Sequence, residues 1–198
     1  MTLPKRVMLP LPIDFYARPT LTVARELLGA RLVRILYGVR LSGTITETEA
    51  YIGETDLACH AKAGRTRRTQ IMYGPPGRAY VYFTYGMHWM LNAVTEPEGF
   101  PAAVLIRAVE VTEGRELVQA RRAGVAEPRW TDGPAKLAQA FGIDAVQNGI
   151  DLTGTAAGLW IEAGDPVPEE SVTIGPRVGL YNVPEPWKGM PWRFLRRR

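Results

Sequence analysis

The sequence predicts an α+β protein: a curved, largely antiparallel sheet, helices flanking it on one side, and a protruding β-hairpin. Three observations carry this reading. Apolar and β-branched runs of strand length recur between turn residues, and the 20 Gly and 16 Pro are spread through the 198 residues rather than gathered in a linker. Hydrophobic residues make up 46% of the chain, enough for one sizeable core. Two aromatic-rich runs flank Tyr85-Gly86, a spacing that signals a hairpin.

The elements follow in order. Thr20 to Leu28 reads as a short helix with Thr20 as N-cap and Gly29 as its stop. Arg31 to Tyr37 and Val39 to Tyr51 read as strands joined by a tight turn at Gly38, and Ala79 to Thr84 and Met87 to Val94 as the two arms of the hairpin. Ala102 to Val111 is another strand. Thr112 to Ala123 and Asp132 to Phe141 read as helices, the second with Pro134 in its first turn. Leu159 to Ala163 and Val172 to Leu180 are weaker strands. One domain is expected over 1–198, with flexible ends at 1–12 and 195–198.

Composition narrows the class. With 22% charged residues and normal apolar content the chain is not disordered. The single Cys59 excludes an internal disulfide and suits a reducing compartment. No apolar run reaches the roughly 18 residues of a membrane span, and Met1 to Pro12 lacks the apolar stretch of a secretory signal. A cytoplasmic protein is expected. The net charge of +4 is unevenly placed. Lys62, Arg65, Arg67, Arg68 and Arg78 lie in an acid-free stretch, as do Lys188, Arg193, Arg196, Arg197 and Arg198, and the rest of the chain is net acidic. This distribution fits a polyanion-binding face, or equally a solvated loop and a loose tail.

Strand alternation places Leu41, Ile45, Glu47, Glu49 and Tyr51 on one face of Val39 to Tyr51. If Leu41 and Ile45 meet the core, that face runs on into two carboxylates. A carboxylate beside an apolar wall tends to rise in pKa and can serve as a general base towards water. The alternative, favoured by spacing alone, is that the strand leaves the core and both Glu are solvated. His60 and His88 are too few and too far apart for a metal site, and Cys59-His60 has no second pair, so zinc is not expected; nor is a Cys59 nucleophile with His60 as base, because adjacent residues on an extended strand face apart. Gly74-Pro-Pro-Gly77 lacks the N–H donors of a phosphate loop and reads as a turn. Tyr85, at a hairpin tip where small polar residues are usual, is either folded back or presented outward. An outward aromatic among basic residues suits stacking or wedging into nucleic acid. Arg107 interrupts an apolar strand and calls for an anionic partner such as Glu49 or a phosphate. Tyr80, Tyr82 and Asn92, taken singly, read as sheet packing.

Together and in order, several segments resemble the 3-methyladenine DNA glycosylase family of the alkyladenine type. They are Glu47-Thr-Glu-Ala-Tyr51, Asp56-Leu-Ala-Cys-His60, Gly74-Pro-Pro-Gly-Arg-Ala-Tyr-Val-Tyr82, Tyr85-Gly-Met87, Asn92, Leu105-Ile-Arg107 and Gly133-Pro-Ala-Lys-Leu137. Ala17-Arg-Pro-Thr20, Ala24-Arg-Glu-Leu-Leu-Gly29, Arg177-Val-Gly179 and Pro191-Trp-Arg-Phe194 extend the likeness over nearly the whole chain.

The resemblance implies an enzyme that flips an alkylated purine out of duplex DNA and hydrolyses its N-glycosidic bond with an activated water. Glu49 would deprotonate that water, and Arg107 would hold the water and the nucleotide backbone beside it. Tyr51 and Tyr82 would sandwich the flipped base, His60 would close the pocket, and Asn92 would guard its floor against the exocyclic amine of guanine. Tyr85 would fill the gap in the duplex, with Lys62, Arg65, Arg67 and Arg68 as backbone contacts. Glu47 would give structural support. The charged methylpurines are good leaving groups, and two aromatic faces favour a cationic ring by about 0.5–2 kcal/mol per contact. The implied enzyme needs no cofactor or metal, works as a monomer on double-stranded DNA containing damaged purines and not on membranes, and has no lysine nucleophile for lyase chemistry. A catalytically inactive damaged-DNA-binding domain of the same fold is the alternative. Arg67 and Thr69 stand where many members have Pro and Asn, and Met90 where Cys is common, which bears on loop conformation and lesion fit.

Overall fold

A computed structural model describes residues 8–197; Met1 to Val7 and Arg198, which include most of the N-terminal segment expected to be flexible, lie outside the described residues. The strands are β1 (Arg31–Leu36), β2 (Val39–Ile52), β3 (Ala79–Thr84), β4 (His88–Val94), β5 (Ala102–Glu113), β6 (Leu159–Glu162), β7 (Val172–Gly175) and β8 (Arg193–Arg196). They form one antiparallel sheet in the order β3-β4-β5-β2-β1-β6, with β8 pairing both β2 and β7. The helices are α1 (Ile13–Tyr16), α2 (Thr20–Glu26), α3 (Arg115–Arg121) and α4 (Pro134–Phe141). Val23, Ala24 and Leu27 at α2, Val118 of α3, and Leu137, Ala138 and Phe141 of α4 share one buried cluster with Leu32, Leu41, Ile45, Val104 and Ile106. The helices therefore cover one face of the sheet, as expected. Among the described residues no helix is long and apolar enough to cross a membrane.

The long strand β2 departs from simple alternation. Ile45 pairs with Val109 and Glu47 with Ala108, so Thr46 is an extra residue; Glu47 and Thr48 then pair with Ala108 and Ile106, so Arg107 is extra on β5. Each bulge reverses the faces of its own strand. Leu41 and Ile45 point into the core before the bulge, and Ala50 after it, while the Thr48 hydroxyl donates to Ala24 O of α2 at 2.7 Å. Glu47, Glu49 and Tyr51 are thereby turned to the opposite face, which corrects the expectation that they share a face with Ile45. Neither Glu is solvated.

Other boundaries shift for local reasons. Thr20 is the first residue of α2 rather than its cap: its N–H donates to Glu96 Oε1 at 2.7 Å and its hydroxyl to the same oxygen at 2.9 Å, so a distant carboxylate does the capping. Strand β5 runs on to Glu113, and α3 begins only after Gly114. That glycine has φ +71, and a Cβ there would sit 2.3 Å from Leu41 Cδ2, so the turn from strand to helix needs Gly at this position. Strand β7 stops at Gly175, before Pro176. Leu195 and Arg196, expected in a loose tail, belong to β8, where backbone pairing to β2 and β7 holds them.

Candidate active site

The sheet face away from the helices gathers most of the side chains that the sequence singles out. Register aligns Glu49 with Leu105, Leu105 with Asn92, and Asn92 with Tyr80 across β2, β5, β4 and β3, so one row of side chains crosses four strands. Tyr51, Tyr82 and Arg107 lie one alternation along from that row, on the same face. A cleft of about 320 Å³ opens over it, lined by Tyr51, His60, Tyr82, Asn92, Arg107 and, at the rim, Tyr85, with Val178, Gly179 and Leu180 forming another wall.

Glu49 lies beneath the cleft, 0% exposed. Its Oε1 accepts the Val178 N–H at 2.6 Å, and its Oε2 accepts the Tyr51 hydroxyl at 2.8 Å and stands 3.3 Å from Arg107 Nη1. Burial pushes its pKa up, Arg107 and the two hydrogen bonds pull it down, and the net direction is upward. Arg107 loses some proton affinity to burial but gains more from Glu49 and Glu47, so it stays charged. Its Nε donates to Glu47 Oε1 at 2.9 Å. This is the anionic partner that an Arg within an apolar strand required.

The pocket walls are aromatic. His60 meets the Tyr82 ring edge-on, centroids 4.5 Å apart, and its Nδ1 shares a 2.9 Å hydrogen bond with Tyr80 Oη. Burial, helped by Arg68 and Lys62, lowers the His60 pKa to about 4, so the imidazole is neutral at physiological pH. Burial pushes Tyr80 up to about 12, and Tyr51 and Tyr82 also rise, so these phenols stay protonated. Asn92 Nδ2 donates to Tyr80 O at 2.9 Å. Cys59 is buried and pushed up to about 12, an inert thiol.

The hairpin tip spans Tyr85 to Met87, one residue longer than expected, because Thr84 pairs with His88. Tyr85 and Gly86 both have positive φ, +52 and +68. Tyr85 is 81% exposed, so the ring is presented outward. Lys62, Arg65, Arg67 and Arg68 are all exposed. Arg68 reaches over the Tyr82 ring at 5.1 Å and Arg65 over Tyr73 at 5.7 Å, while Lys62 Nζ donates to Leu57 O.

Two residues, Arg177 and Arg193, were given no role in the site by the reading of the sequence. Arg177, fully buried, forks onto Asp56 at 2.5 and 2.9 Å and lies between the rings of Tyr51 and Trp192, at 4.7 and 4.9 Å. It anchors the loop whose next residue, Val178, donates to Glu49. Arg193 of β8 donates to Glu47 Oε1 at 2.5 Å. The segments Asp56 to His60 and Arg177-Val-Gly179 were conspicuous as motifs, but nothing in them shows that they meet.

Comparisons with known proteins give the chain's relatives. The sequence pattern of the family described as Methylpurine-DNA glycosylase matches residues 14–198. A protein of Carboxydothermus hydrogenoformans named "Putative 3-methyladenine DNA glycosylase" is 48% identical over 184 residues, 93% of each chain. Proteins with the same name from Myxococcus xanthus and Methanocella arvoryzae are 50% and 48% identical, each over 93% of this chain and over 88% and 90% of their own.

Proposed function

The chain belongs to the Methylpurine-DNA glycosylase family, and from that premise we propose that it excises alkylated purines from duplex DNA by Glu49-assisted attack of water, without lyase activity. It is a DNA glycosylase, a hydrolase whose substrate is DNA. The observation that carries the mechanism is a fully buried carboxylate held by Tyr51, Arg107 and Val178, all three of which line an aromatic cleft.

A carboxylate offers about four acceptor positions. Tyr51 occupies one on Oε2, which also pairs with the Arg107 charge at 3.3 Å, and Val178 one on Oε1. The second position on Oε1 is the one that would take a water proton. Water then attacks C1′, the N-glycosidic bond breaks with its electron pair leaving on the purine, and Glu49 holds the released proton. The purine stacks between Tyr51 and Tyr82, with neutral His60 closing the pocket and Asn92 on its floor. Tyr85 fills the space vacated in the duplex, and flipping costs a few kcal/mol, least for a poorly paired lesion. Exposed Lys62, Arg65, Arg67 and Arg68 meet phosphates.

The test is an excision assay over duplexes that each carry one lesion: 3-methyladenine, 7-methylguanine, hypoxanthine or etheno-adenine. Release of free base with the sugar-phosphate strand left intact is expected for at least the cationic methylpurines. Binding to these duplexes without release would establish the inactive-domain reading instead.

A further inference from the structure

The chain of charges that begins at Glu49 does not end at Arg107. Arg107 Nε and Arg193 Nε both donate to Glu47 Oε1, at 2.9 and 2.5 Å, so Glu49, Arg107, Glu47 and Arg193 alternate in sign across β2, β5 and β8. Arg193 is also the register partner of Glu49 on the neighbouring strand. The two carboxylates and two guanidiniums make a neutral set, most of it buried, and only Arg193 is substantially exposed, at 30%. Glu47 lines a separate cleft of about 590 Å³, which neither Glu49 nor Arg107 lines. Neither Glu47 nor Arg193 lines the aromatic cleft, and Glu47 reaches Glu49 through Arg107.

We propose that Arg193 is a positioning residue for the reaction: by sharing Glu47 Oε1 it leaves the Arg107 Nη1 group free to stay on Glu49 and keeps the buried set neutral. This rests on the assignment of Glu49 as the base. Without Arg193, Glu47 has one cation instead of two, draws Arg107 towards itself, and leaves the set at −1. An excess negative charge in a buried place is relieved by protonating a carboxylate. Glu49, the more deeply buried and already shifted upward, is the one to take the proton. Neutralising Glu47 instead leaves the set at +1, which favours ionised Glu49. Apart from Arg107 of β5, which both substitutions affect through Glu47, the groups facing Glu49 are Tyr82 from β3, Tyr51 on its own strand, and the Val178 N–H with Arg177 behind it; neither substitution touches these.

The experiment is the pH profile of single-turnover excision from a lesion duplex that the wild-type protein cleaves, with Arg193→Met, Arg193→Lys and Glu47→Gln in parallel. Arg193→Met is expected to move the acid limb up by about 0.5–1 pH unit, at or below the roughly 1–3 units of a directly adjacent charge, because Arg193 acts through Glu47. Glu47→Gln should move it down, Arg193→Lys should restore the wild-type profile, and affinity for the lesion duplex should not change. A mere packing role would lower the rate equally at every pH. That result, coincident profiles, or shifts of the same sign in Arg193→Met and Glu47→Gln overturns the proposal. If Arg193→Met does not fold, the sign of the Glu47→Gln shift decides it. A wild-type protein that excises nothing overturns both this and the assignment of function, whereas wild-type excision with unmoved profiles overturns this alone.

Discussion

Replacing Arg177 by Met tests whether the buried pair with Asp56 holds the site together. Both side chains are 0% exposed, and the fork at 2.5 and 2.9 Å is supplemented by bonds from Arg177 to Ala50 O at 2.9 Å and Trp187 O at 3.1 Å. Met fills much of the stem's volume between Tyr51 and Trp192 but leaves Asp56 with only the amides of Ile52 and Ala58. Removing one partner of a buried pair costs about 3–5 kcal/mol, because the other charge stays buried without compensation. For a chain of this size each kcal/mol is worth roughly 2–4 °C, so Tm should fall by about 6–20 °C. Scanning calorimetry of Arg177→Met, Asp56→Asn and the double variant measures it. The double variant should be clearly more stable than the sum of the two losses predicts, since it leaves no lone charge. Excision should also drop at temperatures where the single variant is folded, because Val178 and Tyr51 lose their support. A Tm change under about 2 °C, or strictly additive losses, would refute the reasoning.

Four further outcomes are expected. Glu49→Gln should lower single-turnover excision by about 10²–10⁴-fold while keeping lesion binding; in the wild-type protein, excision should fade as pH drops through a pKa above the ordinary carboxylate range of about 4.3. Tyr85→Ala should leave Tm unchanged, since the ring is mostly exposed, and weaken capture of the flipped state; equal lesion affinity would dismiss the wedge. His60 is held neutral in the fold down to about 4, against 6.5 ordinarily, so the unfolded chain takes up its proton first. Stability from this residue is complete above 6.5 and declines as pH falls to about 4, and melting curves of His60→Gln should show a smaller acid loss in that window. If Lys62, Arg65, Arg67 and Arg68 all meet phosphates, affinity should drop roughly 100-fold between about 50 and 200 mM salt, and a flat dependence would exclude them.

The sheet was legible because β-branched and aromatic runs between turns report pleated, half-buried surface. The hairpin was legible for the same reason, to within one residue. What composition could not show is the bulge at Thr46, since one extra residue changes the facing of every later side chain without altering its type. Glu49 and Tyr51 were found through motif likeness, but their face was misplaced. Strand β8 was hidden because Arg193-Phe-Leu-Arg196 is short and half charged, and its pairing with β7 and, far along the chain, with Glu47 to Glu49 makes it a strand. Arg177 was passed over because a single Arg in sequence looks solvated; its burial follows from Asp56, 121 residues away in the chain.

If the cleft holds flipped purines, the guanidinium beside Tyr51 bears on how it would tell one damaged base from another. Arg177 lies 4.7 Å from the ring centre and does not line the cleft, so it occupies the ring's far face. An aromatic ring has one cloud of π electrons for both faces, and a positive charge on one side draws density away from the other. A charged methylpurine stacked on Tyr51 would meet a ring whose attraction for cations is already partly spent, while a neutral deaminated purine would lose nothing. Preference for charged lesions would then arise less from how tightly they are held than from how readily they depart, which separates recognition from reactivity within a single pocket.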